Sequence, residues 1–177
     1  MRWSTAFSLF LASACTCSIA SEELPSGWRL PTKQELGDKA RLDSSTLLAR
    51  AVADFNADGV DDTALLLKSA RFSGEALWVH LSKGPAEFEW IKLAEIKWGK
   101  EEPNVRVAMG IDTLSPGVHP YGCFDDTKGE CNFGPPSERP KLKLADPSLM
   151  YFRLGSAASL FFWSNKHKRF LRVWLSD

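Results

Sequence analysis

Oxygen-bearing side chains alternate along the segment from Asp54 to Asp62, which reads DFNADGVDD. A loop with this spacing can surround a calcium ion, because Ca²⁺ prefers several oxygen ligands from one flexible loop. Gly59 permits the sharp turn at the centre of the loop. The carboxylates would repel one another without a cation, which favours metal binding. The predicted calcium ligands are the side chains of Asp54, Asn56 and Asp58, the backbone carbonyl of Val60, and Asp62 directly or through water.

A second interpretation of the same loop stays open. Asp, Asn and Gly are also typical of tight turns in which the side chains cap their own backbone. The segment is not an EF-hand, since the twelfth position is Leu65 instead of the bidentate glutamate. The residues on both sides are strand-like, from 49 to 53 and from 63 to 68.

The run from Ala53 to Ala64 resembles the calcium loop of FG-GAP and VCBS-type repeats, in which the loop joins two β-strands. Such repeats usually occur in series and build propellers in adhesion and cell-surface proteins. The chain contains one copy, so a propeller does not follow. As a whole it resembles small exported proteins of proteobacteria that carry a lone repeat of this kind. The resemblance implies export and calcium, and it implies no reaction.

The amino terminus has the features of a signal peptide. Residues 1 to 20 contain Arg2, an apolar run from 6 to 12, and the small residues Ser18 and Ala20 before the expected cleavage site. The apolar run is too short to span a bilayer. A buried helix is one alternative. A degenerate lipoprotein signal with an acylated Cys15 is the other, although Ala12 stands where a larger aliphatic residue is usual.

Residues 21 to 177 are expected to form a single domain. The whole chain has 22 basic and 22 acidic residues, and cleavage would remove Arg2 and no acid. This balance gives no electrostatic reason to expect nucleic acid or an anionic membrane as a partner.

Two cysteines, Cys123 and Cys131, would remain after cleavage. An even number in an exported protein predicts a disulfide, which would close a polar loop. The alternative is that Cys123 is a catalytic thiol paired with His119, four residues earlier. Zinc is less favoured still, because the histidines lack ligand spacing.

The predicted fold class is α+β, with mainly antiparallel strands and a short helix near the amino terminus. Thr32 and Glu35 form a capping-box pattern after Pro31, which predicts a helix over 33–41. A Pro- and Gly-rich stretch from 115 to 140 predicts one long, disulfide-closed loop. Strand-like segments with imperfect alternation, separated by turn residues such as Gly74 and Gly99, predict strands over 46–53, 63–70, 75–81, 88–97, 105–111, 141–145, 150–154, 159–163 and 170–175.

Aromatic residues are the candidates for a partner surface. The tryptophans of the mature chain are expected either to fill a two-sided core with the helix on one sheet face, or to expose a patch at Trp78 and Trp90 for a protein or glycan. In the disulfide loop the candidate anchors are Tyr121 and Phe124, unless both rings tuck under the loop. The predicted polar rim of that loop is Asp125, Asp126 and Lys128.

Motifs of catalysis are missing from the sequence, which has no G-x-S-x-G, no H-E-x-x-H and no phosphate-binding loop. We therefore expect a calcium-stabilised, non-catalytic binding module of the periplasm or exterior, with a cell-envelope protein as its partner. Its sharper form is a periplasmic inhibitor or immunity-type protein. A cell-envelope hydrolase and a lipid-anchored structural protein are the alternatives.

Overall fold

The computed structural model describes residues 23–84, 87–99, 106–125 and 131–176. The predicted signal peptide and Cys15 lie outside these residues. Half of the described residues are in β-strands and only 2% are helical. The strands are β1 (Trp28–Arg29), β2 (Arg50–Ala53), β3 (Asp62–Ser69), β4 (Gly74–Ser82), β5 (Phe88–Lys97), β6 (Met109–Leu114), β7 (Gly117–Pro120), β8 (Cys123–Phe124), β9 (Lys141–Leu144), β10 (Ser148–Arg153), β11 (Ala158–Ser164) and β12 (Arg169–Ser176).

The strands form two five-stranded antiparallel sheets and a small ribbon. Sheet A has the order β1-β3-β4-β5, and β2 also pairs with β3. Sheet B has the order β6-β10-β11-β12-β8, and β7 pairs with β9 in the ribbon. The inner faces of sheets A and B share one apolar core. Its fully buried members include Leu66, Leu77 and Val79 of sheet A with Ile111 and Leu149 of sheet B.

The predicted α+β class is wrong, because the helix expected over 33–41 does not form. The capping-box hydrogen bonds are present, from the Glu35 N–H to Thr32 Oγ1 at 3.2 Å and from the Thr32 N–H to Glu35 Oε2 at 2.7 Å. They close a single turn. Gly37 follows, and Asp38 has an extended backbone with φ −79° and ψ 134°. Only a 3₁₀ turn, Lys39–Arg41, comes after it. A capping box thus satisfies a helix start without ensuring that a helix continues.

The Pro- and Gly-rich stretch contains more regular structure than the expected long loop. β7 and β9 form a ribbon across it, and β8 adds to the edge of sheet B beside β12. The disulfide between Cys123 and Cys131 is present, with the two Cα atoms 5.0 Å apart. Because Cys123 belongs to β8, the bridge attaches the returning chain to the edge of sheet B.

Candidate functional site

The predicted calcium loop connects β2 to β3, whose ends pair at Ala53 and Asp62. Two residues of the loop have left-handed backbone conformations, Ala57 with φ 59° and Gly59 with φ 87°. Phe55 is buried in the core, so it anchors the loop on the inner face of sheet A. The loop is therefore a tight strand-to-strand connection with one apolar anchor.

Side chains of the loop cap its own backbone. The Asp54 carboxylate accepts hydrogen bonds from the N–H groups of Asp58 at 3.1 Å and Gly59 at 2.8 Å. Asp58 Oδ1 accepts from the Val60 N–H at 2.9 Å. These hydrogen bonds are those expected from the second interpretation of the loop, a tight turn whose side chains cap its own backbone. They do not exclude a metal, since each carboxylate oxygen keeps a further lone pair.

Asp62 is the buried acid at the base of the loop and has no exposed surface. Its two oxygens accept from the N–H groups of Phe55 at 2.8 Å and Ser82 at 2.7 Å. Burial raises the pKa of Asp62 to about 6, and the negative charges of Asp58 and Asp54 act in the same direction. A cation beside this carboxylate would offset both effects.

Ser82 belongs to the same site, although it lies at the end of β4 and twenty positions from Asp62 in sequence. Its hydroxyl donates to Asp58 Oδ2 at 2.9 Å, and its carbonyl accepts from Asn56 Nδ2 at 2.7 Å. Sequence reasoning missed this residue, because only the pairing of β3 with β4 brings it beside the loop. Ser82 ties the loop to sheet A.

The loop has the donor chemistry that calcium prefers, because Asp54, Asn56, Asp58 and Asp62 each carry side-chain oxygens, although the Asn56 amide nitrogen donates to Asp58 Oδ2 at 3.2 Å. Over the described residues, no three or more His, Cys, Asp or Glu side chains are grouped so as to hold a metal ion. In this arrangement the carboxylates thus bind backbone N–H groups. To converge on an ion, these carboxylates would have to turn part of their oxygens away from those donors.

A continuous row of rings lies on the side of sheet A that faces away from the core. We call this row the aromatic face, and its ring centroids are separated by 4.6 to 6.5 Å from one neighbour to the next. Leu77, Val79 and Leu81 point into the core, so the alternate residues of β4 point outward. In order, the aromatic face consists of Phe72, Trp28, Trp78, Trp90, His80 and Phe88.

The aromatic face is half-buried by its own neighbours. Lys92 Nζ lies 5.7 Å from the ring centroids of both Trp28 and Trp78. The Trp90 indole N–H donates to the Glu23 carbonyl at 3.0 Å. Phe72 and Phe88, at the two ends, are 40% and 39% exposed. The expectation that a helix covers one sheet face is wrong, since the described chain forms no such helix.

The predicted partner residues of the disulfide loop have contacts within the chain. The Tyr121 and Phe124 rings meet edge to face at 5.3 Å, and Phe124 also meets Phe162 at 6.3 Å. Asp125 Oδ1 accepts from the Trp174 indole at 2.9 Å. Asp126 and Lys128 lie outside the described residues. Phe124 thus packs on Phe162 of sheet B, and Tyr121 packs on Phe124.

No helix in the described part of the chain is long and apolar enough to cross a membrane. Searches with the whole sequence and fold found no match among protein-family models, curated proteins or solved structures. The resemblance to FG-GAP and VCBS repeats therefore depends on the loop residues alone.

Proposed function

We propose that the protein is a non-catalytic binding module of the cell envelope that contacts a protein partner through its aromatic face and is stabilised by calcium. The observation that carries this proposal is the six-ring row on the outer side of sheet A. Aromatic residues are enriched at the centres of protein interfaces, and charged residues at their rims. The exposed Lys83, Glu87 and Lys97 lie along or beside β5, and Lys92 of the same strand lies over Trp28 and Trp78.

Preorganisation supports a binding role for this surface. The rings already pack against one another, and Lys92 is held by an ion pair to Glu95. Little side-chain freedom remains to be lost when a partner docks, which improves affinity. A protein fits better than a glycan, because Lys92 covers a face of Trp28 and of Trp78 that a sugar ring would need for stacking.

Calcium has a structural place in this proposal. The Asp54–Asp62 loop joins two strands of the same sheet, and Ser82 links it to β4. A bound ion would thus stabilise the strands that carry Trp78 and His80. With the predicted signal peptide, these features support an exported module, of which a periplasmic inhibitor or immunity-type protein is the sharper form.

The test is capture of partners from an envelope extract by wild type and by two matched variants. Phe88→Glu places a charge on the aromatic face, whereas Val118→Glu places one on β7, where the native side chain is 57% exposed. We expect Phe88→Glu to lose a protein that wild type and Val118→Glu both retain. Equal retention by all three would exclude the aromatic face as the interface.

Two other outcomes would replace the proposal. Retention on purified envelope polysaccharide, lost in Phe88→Glu, would identify a glycan as the ligand. Hydrolysis of envelope substrates by the purified protein would end the non-catalytic interpretation.

A further inference from the structure

A cavity of about 310 Å³ lies between the two sheets, where β5 of sheet A faces β10, β11 and β12 of sheet B. We call it the Arg172 cavity. Its volume is at the lower end of the range of about 300 to 1,000 Å³ that is typical of small-molecule sites. Much of its wall is apolar, formed by Ala94, Ile96, Met109, Ala157 and Trp174.

Three buried side-chain polar atoms, on residues that line this cavity, have no hydrogen-bond partner in the part of the chain that the structure describes. They are the indole Nε1 of Trp98, the hydroxyl of Tyr151 and the Nε of Arg172. Tyr151 is only 3% exposed. An unsatisfied buried polar group costs about 1 to 3 kcal/mol, and native proteins contain few of them. Three around one cavity indicate a ligand that accepts hydrogen bonds.

Arg172 places a positive charge at the cavity. Its guanidinium lies over the Trp174 ring at 4.0 Å and near Phe161 at 5.3 Å. The Asp125 carboxylate is 3.7 Å from Nη1, which is longer than a hydrogen bond. Burial lowers the pKa of Arg172, and Asp125 opposes that effect only in part. The cation is thus incompletely compensated by its neighbours.

Two acids near the cavity are already engaged. Glu95 lines the cavity and pairs with Lys92 and Lys97. Burial raises the pKa of Tyr151, and the nearby charge of Glu75 adds to that effect. The Glu75 carboxylate accepts from the Ala108 and Met109 N–H groups. Both acids therefore have their own donors, and Trp98, Tyr151 and Arg172 are left to a ligand.

We propose that the Arg172 cavity binds a small organic carboxylate. The carboxylate would accept hydrogen bonds from Arg172, Tyr151 and Trp98, because an ionised acceptor paired with a guanidinium makes the stronger class of hydrogen bond. The apolar wall would enclose a compact aliphatic or aromatic body. This site is separate from the aromatic face, so it does not depend on the proposed function.

The test uses benzoate and hexanoate, each against its neutral amide, benzamide and hexanamide, at constant ionic strength. Binding is followed by amide chemical shifts in NMR titrations. Tyr151→Phe removes one hydroxyl, and it should fold at least as stably as wild type because that hydroxyl is unpaired. Tyr121→Phe is the matched control, since Tyr121 packs on Phe124 and does not line the cavity.

We expect at least one carboxylate to shift the resonances of residues 94–98 and 151 at millimolar concentration, and its amide to bind far more weakly. Tyr151→Phe should weaken binding by about three- to tenfold, the effect of one lost hydrogen bond, and Tyr121→Phe should not. Equal binding of the amides would overturn the proposed ligand class. No binding of either carboxylate, or equal affinity in Tyr151→Phe, would overturn the site itself.

Discussion

Arg41 and Glu75 both form hydrogen bonds with the backbone of residues 107–109, Arg41 with its carbonyl groups and Glu75 with its N–H groups. Arg41 donates to the carbonyls of Val107, at 2.9 Å, and Met109. Glu75 accepts from the N–H groups of Ala108 at 3.0 Å and Met109 at 2.9 Å. Both side chains are fully buried. The pair thus fixes the entry to β6 between the 3₁₀ turn and β4, and joins sheet B to sheet A.

Replacement of Arg41 by methionine is expected to be strongly destabilising. It would leave the carbonyls of Leu47, Val107 and Met109 buried without their donor and remove one of the two cations near Glu75, which costs about 3 to 5 kcal/mol. Urea unfolding should show this loss, whereas Arg50→Met, at an exposed position, should change the free energy of unfolding by less than about 0.5 kcal/mol. A small effect of Arg41→Met would mean that β6 is held by packing alone.

Acid should weaken the protein through the ion pair of Glu35 with Arg29. The Arg29 guanidinium, bonded at 2.7 and 2.8 Å, lowers the pKa of Glu35 from 4.5 to about 2. The stabilisation is therefore complete above pH 4.5 and is lost as the pH falls from 4.5 toward 2. Because Arg29 is 44% exposed, water screens the pair, and we expect about 1 kcal/mol at neutral pH.

The measurement for this ion pair is the free energy of unfolding of wild type and Glu35→Gln across that pH range. The two proteins should differ at pH 6 and converge near pH 2. The exposed Asp43→Asn is the control and should follow wild type throughout. A difference that stays constant with pH would show that Glu35 stabilises the protein only through its hydrogen bond with the Thr32 N–H, and not through the ion pair.

Calcium should raise the melting temperature. We expect a dissociation constant on the order of 10⁻⁴ to 10⁻³ M. Calcium at about ten times this constant would add about 1.4 kcal/mol to the free energy of unfolding, which raises the melting temperature by roughly 3 to 5 °C. Asp58→Ala should abolish this rise. Asp61→Ala is the matched control, because Asp61 is an exposed acid of the same loop outside the predicted ligand set. Calorimetry of wild type without any calcium response would refute the metal site.

Loss of the disulfide should act mainly at one edge of the molecule. A Cys123→Ser/Cys131→Ser variant is expected to lose about 2 to 3 kcal/mol of stability, since the bridge limits the freedom of the unfolded chain. Hydrogen exchange should accelerate in β7, β8 and β9 more than in β3 and β4. Reductant should reproduce these changes in wild type and leave the variant unaffected. Uniform acceleration over both sheets would contradict this localisation.

Strand positions could be predicted from sequence where residues alternate between two faces, as in β4, or where a continuous apolar run lies between turn signals, as in β3. The expected strands over 63–70, 75–81 and 88–97 correspond to β3, β4 and β5. The helix over 33–41 was wrong, because a capping box reports only the first turn. β7 and β8 were missed, since they are short and lie in a Pro- and Gly-rich stretch. Ser82, the Arg41–Glu75 pair and the Arg172 cavity depend on contacts between distant segments, which no local pattern reveals.

The position of β5 has a consequence for how copies of this chain behave at high concentration. It is the longest strand, and in the described part of the chain only β4 pairs with it, so one of its sides is a template for intermolecular strand addition. Lys92 and Lys97 are charged side chains on that strand, and its pairing with β4 shifts register between Leu77 and Trp78. The lysine side chains and the register shift both oppose the pairing of β5 with the edge strand of another molecule. The lysines beside the aromatic rings thus also act as gatekeepers against polymerisation.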